Sequence, residues 1–101
     1  MELNEIKQYL RIEDNEEDSL ISSLLFAAKS YIENGTGLTE DMIKDDSLLE
    51  IYKLCIKILV NNWYENRLSE TVGPNFHKLS NSIEAMLLQL EAAYLKLKGE
   101  D

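Results

Sequence analysis

Residues 47–67, SLLEIYKLCIKILVNNWYENR, decide the fold. Leu48, Ile51, Tyr52, Cys55, Ile58, Leu59 and Trp63 recur at spacings of three and four and form one broad helical face. Leu49, Ile56, Val60 and Tyr64 form a second. A helix with two apolar faces belongs in the middle of its domain, covered on both sides by neighbouring helices or by another subunit. Ser47 followed by Glu50 has the spacing of a reciprocal capping box, so the helix is predicted to open there. Trp63 continues the Cys55 and Leu59 face and reads as core. Tyr64 and Arg67 close the segment as an aromatic and a guanidinium, residue types enriched where protein surfaces meet.

The flanking sequence carries the same period. Upstream, Leu20, Ile21, Leu24, Leu25, Ala28, Tyr31 and Ile32 mark a second long helix, with Gly35 and Gly37 as its stop. Before it, Leu3, Ile6, Tyr9 and Leu10 mark a short helix whose face Ile12 closes. The acidic run Glu13–Asp18 lies between the two as a solvated lead-in that complements the positive end of the helix dipole. Leu38 to Asp46 is a polar connector with a small apolar insert, Met42 and Ile43, and one turn of helix capped by Thr39. Downstream, residues 69–80 hold Gly73, Pro74, Phe76 and His77 without helical periodicity and read as a long loop, a feature more often functional than accidental. Asn81 with Glu84 then caps a last helix striped by Ile83, Met86, Leu87, Leu90, Tyr94 and Leu97, fraying over Lys98–Asp101. The expectation is an all-α fold: one domain over 1–101, a compact bundle of about four helices with a long loop before the last. Four Gly and one Pro are too few for the turns of an all-β chain.

Charge narrows the function. The formal net charge is −9, and all of it falls in residues 1–50, with 13 acids against 4 bases. Such a surface repels phosphate, because nucleic-acid binding rests on cationic side chains that release counterions. A helix-turn-helix reader also needs a polar, basic recognition helix, and Lys53 and Lys57 lie on an otherwise apolar one. A repulsive wall would, however, suit a channel through which DNA slides. No apolar run approaches the roughly 18 residues of a membrane span, and the acidic N-terminus is unlike a signal peptide, so a cytoplasmic protein is expected.

Chemistry is sparse. There is one His and one Cys. Cys55 reads as a small buried hydrophobe, and His77 has no neighbouring Cys or second His with which to hold zinc. Asp14, Glu16 and Asp18 are spaced like a calcium loop, but the sixth position is not Gly and Leu25 stands where the bidentate Glu belongs. No catalytic residue, metal ligand or cofactor site is assigned, and an enzyme is not expected. Tyr64, Arg67 and Phe76 are the candidates for a subunit or partner interface.

The order of these segments resembles a known family. IKQYLRI at 6–12, the acidic run into Asp18-Ser19-Leu20-Ile21, AAKSYIE at 27–33 before Thr36-Gly37, and WYENR at 63–67 are similar to the small head-tail connector proteins of long-tailed bacteriophages and prophages. In the final segment Ser80, Ser82 and Glu91 stand where that family usually has Pro, Gly and Arg. The resemblance implies a head-completion protein without covalent chemistry. It implies a ring of about a dozen subunits beneath the portal, partnered by portal and by tail or neck proteins, with DNA passing through the lumen unread. Assembly would take place in the host cytoplasm, and the final place would be the virion neck. An acidic helical adaptor or regulatory protein bound to a protein partner is the alternative.

Overall fold

The computed structural model describes residues 1–66 and 81–99. They form α1 (Leu3–Leu10), α2 (Asp18–Thr36), a single 3-10 turn (Glu40–Met42), α3 (Asp46–Asn66) and α4 (Asn81–Gly99). The fold is all-α, and among the described residues there is no strand.

Each helix ends for a local reason. α1 opens on Glu2, whose backbone N–H donates to the Glu5 carboxylate at 3.3 Å, completing a capping box that also holds Glu5 below its ordinary pKa. It closes at Arg11, a non-glycine residue in the left-handed region (φ 63°), with the Ile12 N–H donating back to Lys7 O at 2.9 Å. Ile12 therefore packs on the core from just beyond the helix instead of extending it. α2 runs through Gly35 and stops at Gly37 (φ 88°), whose N–H donates to Glu33 O at 2.7 Å. Of the two expected stop glycines only Gly37 takes that role. α3 begins one residue before Ser47, and Asp45 is its cap, accepting from the Leu48 N–H at 3.1 Å. The predicted Ser47 box is thereby replaced by a carboxylate, which also favours the positive helix end. α4 carries Lys98 and Gly99 within the helix, past the start of the predicted fraying. The loop predicted over 69–80 lies outside the described residues.

One core joins the elements: Ile6, Ile21, Leu25, Ala28, Ile32, Leu38, Ile43, Tyr52, Cys55, Ile56, Leu59, Val60, Ile83 and Leu90 are buried together. Burying each large aliphatic side chain contributes about 1.5–3 kcal/mol. α3 packs against α1, α2 and α4, so its own chain supplies neighbours for both apolar faces, burying Tyr52, Cys55 and Leu59 of one and Ile56 and Val60 of the other. Four burial expectations change, two of them at Tyr31 on the α2 stripe and Leu97 on the α4 stripe, which are both exposed. Tyr9, placed on the core face of α1, is exposed and has the Lys57 ammonium 6.0 Å from its ring centroid. Leu38, read as part of a polar connector, is fully buried, because the Gly37 turn folds it back and its N–H donates to Thr36 Oγ1 at 3.1 Å.

Candidate assembly surfaces

The acidic run before α2 is more than a solvated lead-in. Lys7, 8% exposed, donates to Asn15 Oδ1 at 2.8 Å and pairs with Asp18 Oδ1, also at 2.8 Å. The Asp18 contact is an ion pair without good hydrogen-bond alignment, and that buried oxygen has no hydrogen-bond partner. Glu13, Asp14 and Glu16 are exposed, whereas Glu17 and Asp18 are half-buried. The run thus clamps α1 to α2. Lys53 does similar work from α3, reaching the Glu5 carboxylate at 3.4 Å. Such pairs, being partly in water, contribute about 0–1 kcal/mol each.

Tyr64 is half-buried, packs against the core and donates its hydroxyl to the Glu17 carboxylate, tying the end of α3 to the start of α2. Trp63 is also half-buried against the core, meeting Tyr31 edge to face at 5.9 Å and 78°. Arg67 and Phe76, the other two interface candidates, and His77 lie outside the described residues. Cys55 is fully buried, and burial pushes its thiol up to about 11, which keeps it from acting as a nucleophile near neutral pH. Among the described residues no group of three or more His, Cys, Asp or Glu is arranged to hold a metal, and no helix is long and apolar enough to cross a membrane.

Periodicity passed over the residues most exposed in apolar terms. Phe26 is 73% exposed on the flank of α2, and Leu88 and Leu95 are 67% and 58% exposed on α4. Phe26 borders a hollow of about 330 Å³ shared with Lys29, Ser30, Glu33, Thr39, Glu40, Asp41 and Tyr52. Here Thr39 donates to Asp41 Oδ1 at 2.7 Å and holds that carboxyl below its ordinary pKa. Burial pushes the Tyr52 phenol up to about 12, with Glu40, Glu33 and Asp41 adding to the effect. The other flank of α2 meets α4, where Tyr31, Asn34, Gly35 and Leu87 line a separate hollow of about 350 Å³. On α4 the inward face is Ile83, Met86, Leu87, Leu90 and Tyr94. Ala85, Leu88, Ala92, Leu95 and Gly99 are all exposed, at alternating spacings of three and four. That is the spacing of a coiled-coil seam, here with Leu88 and Leu95 as its only large side chains.

A binding surface is what this arrangement offers. The described residues join no nucleophile, base or metal ligand into a reactive set, whereas α2 exposes the lone Phe26 ring and α4 the Leu88–Leu95 face. Comparison with known proteins agrees. No curated protein and no solved structure matches the chain significantly. The sequence model of the family described as Phage gp6-like head-tail connector protein does match, over residues 1–91. That span takes in α1, α2, α3 and the first half of α4, including Leu88 and the buried Ile83 and Leu90. The chain belongs to the Phage gp6-like head-tail connector family, a family of phage structural proteins.

Proposed function

We propose that the chain is a single-domain subunit of a closed ring of about a dozen copies, which joins the portal vertex of a phage head to the tail or neck. The observation that carries this reading is the family match over residues 1–91. Two features support it. A cyclic ring needs two unlike patches on each subunit, and Phe26 on α2 and the Leu88–Leu95 face of α4 are unlike and separate. The acidic balance of residues 1–50 suits a protein beside which DNA must move without sticking. The ring would assemble in the host cytoplasm and end in the virion neck, with DNA passing through its lumen unread. Tyr64, Arg67 and Phe76 remain candidate contacts to neighbours or to portal and tail proteins, and the reaction chemistry of an enzyme has no part in the role.

The test is a phage carrying a nonsense codon in this gene. The expected result is heads and tails that accumulate unjoined, and purified protein added to such an extract restores joined particles. Joined, infectious particles formed without the protein would sink the reading.

A further inference from the structure

Tyr52 is 1% exposed and lines the hollow beside Phe26, yet its hydroxyl has no hydrogen-bond partner among the described residues. Burying a phenol unpaired is costly, and folds normally avoid it. Around the hollow stand three carboxylates, Glu33, Glu40 and Asp41, against the single ammonium of Lys29. Burial raises the Tyr52 phenol, and the three carboxylates add to the effect because their field opposes a phenolate. A field that repels negative charge at that oxygen attracts a cation there.

The carboxylates are not equally free. Glu40 pairs with the Met1 ammonium, and Lys29 Nζ donates to Met1 O at 3.0 Å and lies 3.9 Å from Glu40, so both cations are spent on that side. Asp41 accepts from the Thr39 hydroxyl, and Lys44 Nζ donates to the Asp41 backbone carbonyl at 3.3 Å. Glu33 is exposed and has no ion pair among the described residues. Phe26, Ser30 and Glu33 follow at spacings of four and three, so one stripe of α2 carries a 73% exposed ring, a hydroxyl and this carboxylate along the hollow.

The spread of these groups selects the kind of cation. Among the described residues no three carboxylates converge to hold a metal ion. Acceptors dispersed around about 330 Å³ suit a guanidinium, whose N–H donors fan out in a plane and whose face stacks on an aromatic ring, better than the point charge of an ammonium. We infer that the hollow bounded by α2, the 3-10 turn and Tyr52 of α3 seats an arginine side chain of a docking protein, its guanidinium against the Phe26 ring, paired with Glu33 and bonded to the Tyr52 hydroxyl. This inference rests on the connector reading only for the source of the arginine, a protein held against this one.

The test titrates Nα-acetyl-arginine amide into the full chain at low ionic strength, followed by two-dimensional NMR. Saturable shifts centred on Phe26, Glu33 and Tyr52 are expected, with a Kd on the order of 1–10 mM. Nα-acetyl-citrulline amide, the uncharged isostere, should bind at least about tenfold more weakly. Glu33→Gln and Phe26→Ala should each weaken binding about threefold. Tyr52→Phe should weaken it similarly without loss of thermal stability, because the hydroxyl it deletes has no partner in the free chain. Equal response to the citrulline probe, shifts centred elsewhere, or no response at all would overturn the site. So would a Tyr52→Phe protein that melts well below wild type, since the hydroxyl would then be bonded within the chain. Spermidine binding more tightly than the arginine probe at the same residues would overturn the protein source in favour of a free polyamine. Added to extracts of the nonsense phage, Glu33→Gln protein should join fewer heads and tails than wild type, and full joining would overturn the use of the site in assembly. Failure of the arginine probe strikes the site alone, because wild-type protein in the same extracts decides the connector reading separately.

Discussion

α3 and α4 are both apolar on nearly every side, yet they are used differently. α3 has α1, α2 and α4 packed around it, and Tyr52, Cys55, Ile56, Leu59 and Val60 are all buried. α4 buries Ile83 and Leu90 inward and leaves Leu88 and Leu95 in water. The same excess of leucine therefore means a core in one helix and a vacant contact face in the other. Hydrophobic content alone does not separate these uses, because burial depends on how many neighbours the fold supplies at that position.

The sharpest way to break the comparison is to truncate inward leucines in both helices. Leu59→Ala and Leu90→Ala should each cost about 2–5 kcal/mol in urea unfolding, since both are fully buried and leave cavities. A small loss for Leu90→Ala alone would show that α4 is only loosely part of the core. Gly37→Ala comes next, at about 1–3 kcal/mol. It forces a side chain into the left-handed region and sets a Cβ 2.7 Å from the Tyr94 ring, so it strikes α4 through α2. Tyr64→Phe should cost about 0.5–1.5 kcal/mol by deleting the hydrogen bond to Glu17. Lost assembly at unchanged stability would instead make Tyr64 a contact residue. Leu88→Ala and Leu95→Ala should fall within about 0.5 kcal/mol of wild type while weakening association.

Alkaline titration sharpens the contrast from the α3 side. The Cys55 thiol goes from an ordinary 9.0 to about 11 in the folded chain, so the unfolded state releases this proton first. Its contribution to stability is intact below pH 9 and falls as the pH rises toward 11. At pH 8 a disulfide reagent should label Cys55 only on unfolding, and rapid labelling of the native protein would show that α3 is not sealed.

The four helices were legible because each writes a strong three-and-four repeat. What the repeat could not show was competition for the same role. Ser47 and Asp45 are both good caps, and the carboxylate one turn-start earlier took the helix. Gly35 and Gly37 are both good stops, and Leu38 has a buried seat only if the chain turns at Gly37. The Lys7 clamp was hidden because its partners, Asn15 and Asp18, come together only when α1 folds back on α2. Tyr64 and Arg67 are an aromatic and a guanidinium at the close of the central segment and Phe76 belongs to the loop after it; of these three interface candidates only Tyr64 is among the described residues. Phe26, Leu88 and Leu95 were passed over because an exposed apolar residue and a buried one look alike in one dimension.

The contact between Gly37 and the Tyr94 ring has a consequence in time. α1, α2 and α3 follow one another through short connections, residues 11–17 and 37–45, so their packing closes small loops and forms early. α4 has to span residues 67–80 before Ile83 and Leu90 reach the core and Tyr94 comes to rest over Gly37. It is the last helix to arrive, and it brings the Leu88–Leu95 face with it. A chain still emerging from the ribosome thus has no Leu88–Leu95 face to present until residues 81–99 have been made and docked.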